Sequence, residues 1–188
     1  MKIDLKKLIV GKITYPSWTT NSTYPLKYEE NNSCIFIYYI TKTNKRILRE
    51  FPKEIFFTPH LIYVFGFLKG EGSTALGKSN YRRLTITNTD DVILKITLNE
   101  LEKSGLFKTK NIINKSIHIS HHTKDDEEVL KYWSKKLNLP IEKFKCFELK
   151  AGRNPYGVCH IYISDVLLRR VVDIIHEEIF LNQSFLND

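Results

Sequence analysis

The chain has 188 residues, a formal net charge of +8, and 42% hydrophobic and 12% aromatic side chains. That length allows one good core with an appendage, and the composition excludes a disordered chain. The basic excess points to a polyanionic partner, nucleic acid first, and with no apolar run of membrane-spanning length no membrane partner is expected. Cys34, Cys146 and Cys159 are odd in number and form no C-x-x-C pair, so their pattern indicates neither a zinc site nor a disulfide framework. The N-terminus MKIDLKKLIVGK does not read as a signal peptide, and an intracellular, cytoplasmic protein is expected.

Residues Met1–Phe57 read as a β-rich N-terminal extension without an enzymatic motif. Leu8–Tyr15 suggests a strand, and Cys34–Ile40, dense in β-branched and aromatic residues, a second one. Between them Pro16, Asn21, Ser22, Pro25, Asn31 and Asn32 mark a loop or turns. Thr41–Arg49, with Lys42, Lys45, Arg46 and Arg49, reads either as a basic hairpin tip or as a solvated face.

Thr58–Ser73, T-P-H-L-I-Y-V-F-G-F-L-K-G-E-G-S, opens like a helix: Thr58 can cap it and Pro59 fits the first turn. Gly66 and Gly70 lie on one helical face and leave room for another backbone to approach. Glu71 and the helix-ending Gly72 follow at once. A core helix that happens to end in Gly-Glu-Gly-Ser is the competing structural explanation.

Further on, Thr74–Lys78 and Tyr81–Asn88 suggest a hairpin, with Leu84 and Ile86 alternating against Arg83, Thr85 and Thr87. Asn88 or Thr89 caps a helix whose apolar side holds Ile93, Ile96 and Leu101, and Gly105 ends it. Asn111–His122 reads as a strand with Ile117 and Ile119 inward and Ser116, His118, Ser120 and His122 outward. Adjacent His121 and His122 point to opposite sides of such a strand, which argues against a metal shared among the three histidines.

Thr123–Asp126 resembles a capping box, and the helix after it carries Val129, Leu130, Trp133 and Leu137 at helical spacing, with Trp133 in the core. Beyond Pro140, Lys143–Lys150 and Val158–Ile163 suggest paired strands around the turn A-G-R-N-P-Y-G. Cys159, Ile161 and Ile163 share one face of the second strand, His160 and Tyr162 the other. Asp165–Leu181 closes the domain as an amphipathic helix through Leu168, Val171, Val172, Ile175 and Ile179.

The stretch V-F-G-F-L-K-G-E-G-S resembles the LAGLIDADG motif of homing endonucleases, with Gly66 and Gly70 at small-residue positions and Glu71 at the catalytic acid. Phe65 departs from the usual small residue, and Lys69 replaces the first, non-catalytic acid. L-K-Y-W-S-K-K-L-N-L-P and N-P-Y-G-V-C-H-I-Y-I are similar to segments of archaeal single-motif members. The resemblance covers Thr58 to about Phe180, but only its first motif is specific. It implies an α+β fold with an αββαββα core and an antiparallel, saddle-shaped sheet over residues 58–188. Asp125–Leu137 would be an inserted helix and 1–57 an appended part.

A single motif implies a homodimer whose motif helices pack across a two-fold axis through Ile62, Gly66 and Gly70. The implied activity is a site-specific cut in double-stranded DNA with Mg²⁺, or Mn²⁺, held at Glu71 beside Gly70; Glu is a hard oxygen donor suited to that ion. The sheet would contact DNA through Arg83, Thr85, Thr87, His118, Ser120, His160 and Tyr162, with Lys78, Arg82, Lys150 and Arg153 nearer the phosphates. Lys150 or Lys78 would be the basic residue of the site. The alternatives are a DNA-binding regulator that kept the scaffold without cleavage, and an RNA-binding, maturase-like splicing factor.

Overall fold

The computed structural model describes residues 2–9, 14–16, 23–70, 83–122, 125–148 and 154–180. The chain enters through β1 (Lys2–Asp4) and a short helix α1 (Leu5–Ile9). The strand expected over Leu8–Tyr15 is therefore helical at Leu8 and Ile9, because Leu5, Leu8 and Ile9 fall on one helical side and all three are buried. β2 (Thr14–Pro16) pairs antiparallel with β3 (Thr23–Pro25). β4 (Lys27–Glu30), β5 (Cys34–Ile40) and β6 (Arg46–Pro52) form a three-stranded antiparallel sheet, and β7 (Glu54–Phe56) returns to pair with β1. The segment expected as turns thus also holds the short strands β3 and β4, each paired with a strand next to it in sequence.

Of the two readings of Thr41–Arg49, the hairpin tip describes only its first half. Asn44, at φ 55°, turns the chain, and Arg46 and Arg49 lie within β6. Arg49 faces inward, forms an ion pair with Asp165 and donates to the Leu106 carbonyl at 2.9 Å. That pair ties the three-stranded sheet to the start of the last helix.

α2 (Pro59–Gly70) begins as its sequence suggests: the Thr58 hydroxyl accepts the Leu61 N–H at 3.1 Å. Leu61, Val64, Phe65 and Leu68 recur at helical spacing and are buried. β8 (Leu84–Asn88) follows; its hairpin partner, expected at Thr74–Lys78, lies outside the described residues. α3 (Asp91–Lys103) is capped by Asp90, whose carboxylate accepts the Val92 N–H at 2.8 Å. Asn88 instead accepts the Asp90 N–H at 2.9 Å, one step before the cap. The buried side of α3 runs through Leu94, Leu98 and Leu101, with Ile93 and Ile96 only half-buried at its margin.

β9 (Ile117–His121), α4 (Asp126–Leu137), β10 (Phe144–Glu148), β11 (Val158–Ile163) and α5 (Val166–Phe180) follow among the described residues. The cap of α4 is Asp125, which accepts the Glu128 N–H at 3.0 Å; Thr123, the expected cap, lies outside the described residues. Asn138, left-handed at φ 53°, ends α4 before Pro140.

The four-stranded sheet has the order β10-β9-β11-β8. The expected pairing of the Lys143–Lys150 strand with Val158–Ile163 does not form. β10 lies parallel to β9, and β11 inserts antiparallel between β9 and β8. The reason is α4: its buried side of Val129, Trp133 and Leu137 must cover the sheet, and a strand-helix-strand crossover leaves its two strands parallel. The α+β class therefore holds, whereas the sheet is mixed rather than wholly antiparallel. The buried side chains form one hydrophobic core from Ile3 to Ile175.

A candidate nucleic-acid interface

Strand alternation gives the four-stranded sheet two unlike faces. Leu84, Ile86, Ile117, Ile119, His121, Phe144, Cys159, Ile161 and Ile163 are buried beneath the helices. The opposite face carries Thr85 and Thr87 from β8, His118 and Ser120 from β9, Lys145 and Phe147 from β10, and His160 and Tyr162 from β11. The register sets Lys145, His118, His160 and Thr87 in one row across all four strands. At the end of that row the Thr87 hydroxyl and His160 Nδ1 are 3.1 Å apart, a hydrogen bond.

The rings on this face touch one another. His118 lies 4.5 Å from Tyr162 and 5.0 Å from Phe147, centre to centre, and His160 runs nearly parallel to Tyr162 at 6.3 Å. Each end of the cluster carries a cation. The Arg83 guanidinium stands 4.3 Å over the Tyr162 ring, and Lys145 Nζ 4.8 Å over Phe147. Burial lowers the pKa of His118, helped by the nearby Lys145 and Arg83 charges, and burial also lowers that of His160. At neutral pH both imidazoles are therefore uncharged and offer hydrogen-bonding edges and ring faces, while Arg83 and Lys145 supply the positive charge. Such a surface can meet phosphates with its cations and bases with its rings and hydroxyls.

Of the contact residues expected from sequence, Arg83, Thr85, Thr87, His118, Ser120, His160 and Tyr162 come together around this one face. Lys78, Arg82, Lys150 and Arg153 lie outside the described residues. Lys145 and Phe147 were missed by the sequence reading. The alternation in F-K-C-F-E held their signal, since it turns both to the side opposite Phe144 and Cys146. Phe147 is 44% exposed, unusual for a large apolar side chain in a strand.

α2 presents the second feature. Its outer side carries Ile62 and Tyr63, 38% and 51% exposed, together with Gly66 and Gly70. No described atom stands within 4 Å of where a Cβ would sit on either glycine. Packing against the described residues therefore requires neither glycine. Phe65, the departure from the LAGLIDADG pattern, points the other way, fully buried against Phe57 and His176. The expected catalytic and metal-binding residue Glu71 lies outside the described residues. The described part of that place is Gly70, exposed in the last described turn of α2.

Fold and surface together define an α+β protein whose mixed sheet turns a face of rings, hydroxyls and cations away from its core. No family model matches the chain, no curated protein matches it, and no solved structure matches it. Among the described residues no helix is long and apolar enough to cross a membrane.

Proposed function

We propose that this protein binds double-stranded DNA across the outer face of the β10-β9-β11-β8 sheet and cleaves it site-specifically as a homodimer of the single-motif LAGLIDADG type. The observation that carries the binding half is the convergence of Arg83, Lys145, Tyr162, Phe147, His118 and His160 on one sheet face in a chain of net charge +8. Support for the dimer is the outer side of α2, where Ile62, Gly66 and Gly70 leave space for a second helix. Packing two such helices about a two-fold axis would bring both Glu71 carboxylates beside it.

Mg²⁺ would be held there by Glu71 from each subunit at the α2 C-terminus next to Gly70. When bound, the ion would neutralise charge developing on the phosphodiester and activate water. The chain's own contribution is to position the strand: Arg83 and Lys145 hold phosphates, and the threonines and imidazoles lie along the groove edges. The test is incubation of the purified protein with a library of DNA duplexes in Mg²⁺ and in EDTA. Wild type should cut in Mg²⁺ alone. Glu71→Gln should keep DNA binding and lose cutting, and undiminished nicking by that variant would remove the catalytic assignment.

A second reading is favoured by one observation. Phe147 exposes its ring beside His118 and Tyr162, and such platforms stack unpaired bases. An RNA-binding, maturase-like protein would use the same face. Competition between duplex DNA and structured RNA separates the two.

A further inference from the structure

The helix-covered side of the sheet holds a cluster that the DNA-binding face does not use. His121, at the end of β9, is fully buried, and its Nε2 lies 2.8 Å from Asp126 Oδ1 in the first turn of α4. Cys146, on β10, is half-buried next to both, with its sulfur 3.7 Å from the Asp126 carbonyl. One imidazole nitrogen, one carboxylate oxygen and one sulfur thus lie within 4.8 Å of one another.

The parallel crossover makes this cluster. Cys146 is registered against Ile119, so it lies on the same side as His121, diagonal to it across the β9–β10 pair. α4 then crosses over that side and delivers Asp126 from above. Gly157 closes the flank: at φ +74° it packs so tightly that a Cβ would stand 2.7 Å from the His121 Cβ. Two donors are therefore fixed on adjacent strands, and the third sits on the solvent side, where an ion could enter.

We propose that His121, Asp126 and Cys146 form a binding site for a zinc-class divalent transition metal, separate from the Mg²⁺ site at Glu71. Nitrogen, oxygen and sulfur donors in one cluster suit a borderline-soft ion that takes four ligands, and they are a poor set for Mg²⁺, which prefers oxygen alone. Three protein ligands leave the fourth position to water. Binding releases the Cys146 thiol proton to solvent and replaces the proton of any His121–Asp126 ion pair by the metal. The ion would clamp β9, α4 and β10 together, so its binding energy becomes folding energy.

The experiment is titration of the metal-free full-length protein with Co²⁺ and Zn²⁺. One equivalent of Co²⁺ should give the intense sulfur-to-cobalt charge-transfer absorption of a thiolate ligand, Zn²⁺ should bleach it, and Zn²⁺ should raise the melting temperature. Cys146→Ala and Asp126→Asn change the two ligands nearest solvent, and each should weaken Zn²⁺ binding by more than ~10-fold, since even outer-shell partners of a metal site are worth that much. Cys34→Ser should bind as wild type does. Absence of the charge-transfer band in wild type overturns the site. So does a band that survives Cys146→Ala, or a thermal shift equal in wild type and both ligand variants.

Discussion

His176 on α5 donates its Nε2 hydrogen to the backbone carbonyl of Phe65 on α2 across 2.9 Å, and the two rings meet edge to face with centres 5.2 Å apart. A carbonyl can only accept, so this bond sets the tautomer of His176. It also fixes the rotation of α2. With Phe65 held inward, Leu61, Val64 and Leu68 follow it into the core, and Ile62, Gly66 and Gly70 must face out. The outer side of α2 is thus decided by a contact on its inner side.

That contact predicts how stability depends on pH. Burial, with the Lys69 and Arg169 charges, lowers the His176 pKa to about 4 against the opposing pull of the Phe65 hydrogen bond. Unfolded, the same imidazole titrates near ~6.5. Between these values the unfolded chain binds a proton that the folded chain refuses, so stability falls as pH drops through that window and levels off below it. The effect is on the order of 3 kcal/mol for a full shift of this size. Denaturant midpoints measured across the window should decline in wild type and decline less in His176→Leu. Equal slopes in both proteins would reject the assignment to His176.

Gly66 and Gly70 should separate assembly from folding. Outside the helix's own backbone no described atom lies within 4 Å of either Cβ position, so an added Cβ meets no described neighbour. Gly70→Leu should therefore leave the melting temperature of the monomer within a few degrees of wild type while abolishing dimer formation and DNA cleavage together. Sedimentation velocity checks this. A profile unchanged by the substitution would count against the α2 interface.

Gly157 should behave in the opposite way. It sits at φ +74°, and a Cβ there would stand 2.2 Å from the Ser120 carbonyl oxygen and 2.7 Å from the His121 Cβ. Gly157→Ala is expected to cost at least about 2 kcal/mol from the left-handed backbone and the forced displacement of β9. Chemical denaturation would read the loss directly.

Trp133 anchors the loop that Gly157 ends. Its indole N–H donates to the Tyr156 carbonyl at 2.7 Å, and Tyr132 stacks on Tyr156 at 3.9 Å. Trp133→Phe should be milder than Trp133→Ala, which is expected to cost ~3–5 kcal/mol as a core truncation. Near-ultraviolet circular dichroism and thermal melting report both.

On the sheet face, Arg83→Ala and Lys145→Ala should weaken duplex binding at every sequence, each lowering the salt slope of the association constant by about 1. Tyr162→Ala and Phe147→Ala should leave the salt slope alone. They should cost more for single-stranded or structured RNA than for duplex DNA if the rings stack bases, at roughly 1–3 kcal/mol per ring. Filter binding at several salt concentrations distinguishes these effects.

Periodicity alone fixed much of this protein. The helix over Pro59–Gly70, the helix around Trp133, the closing helix through Val171 and Ile175, and the alternation in β8, β9 and β11 are local patterns, since burial of one side dictates spacing. The same alternation by itself puts Thr85, Thr87, His118, His160 and Tyr162 on one side of their strands. Pairing was beyond it. That β10 lies parallel to β9 and β11 inserts between β9 and β8 depends on where α4 packs, and this brought Lys145 and Phe147 beside His118. His121, Asp126 and Cys146 meet for the same reason: residues on three different elements become neighbours only when a crossover helix closes over a parallel pair, which no spacing along the chain encodes.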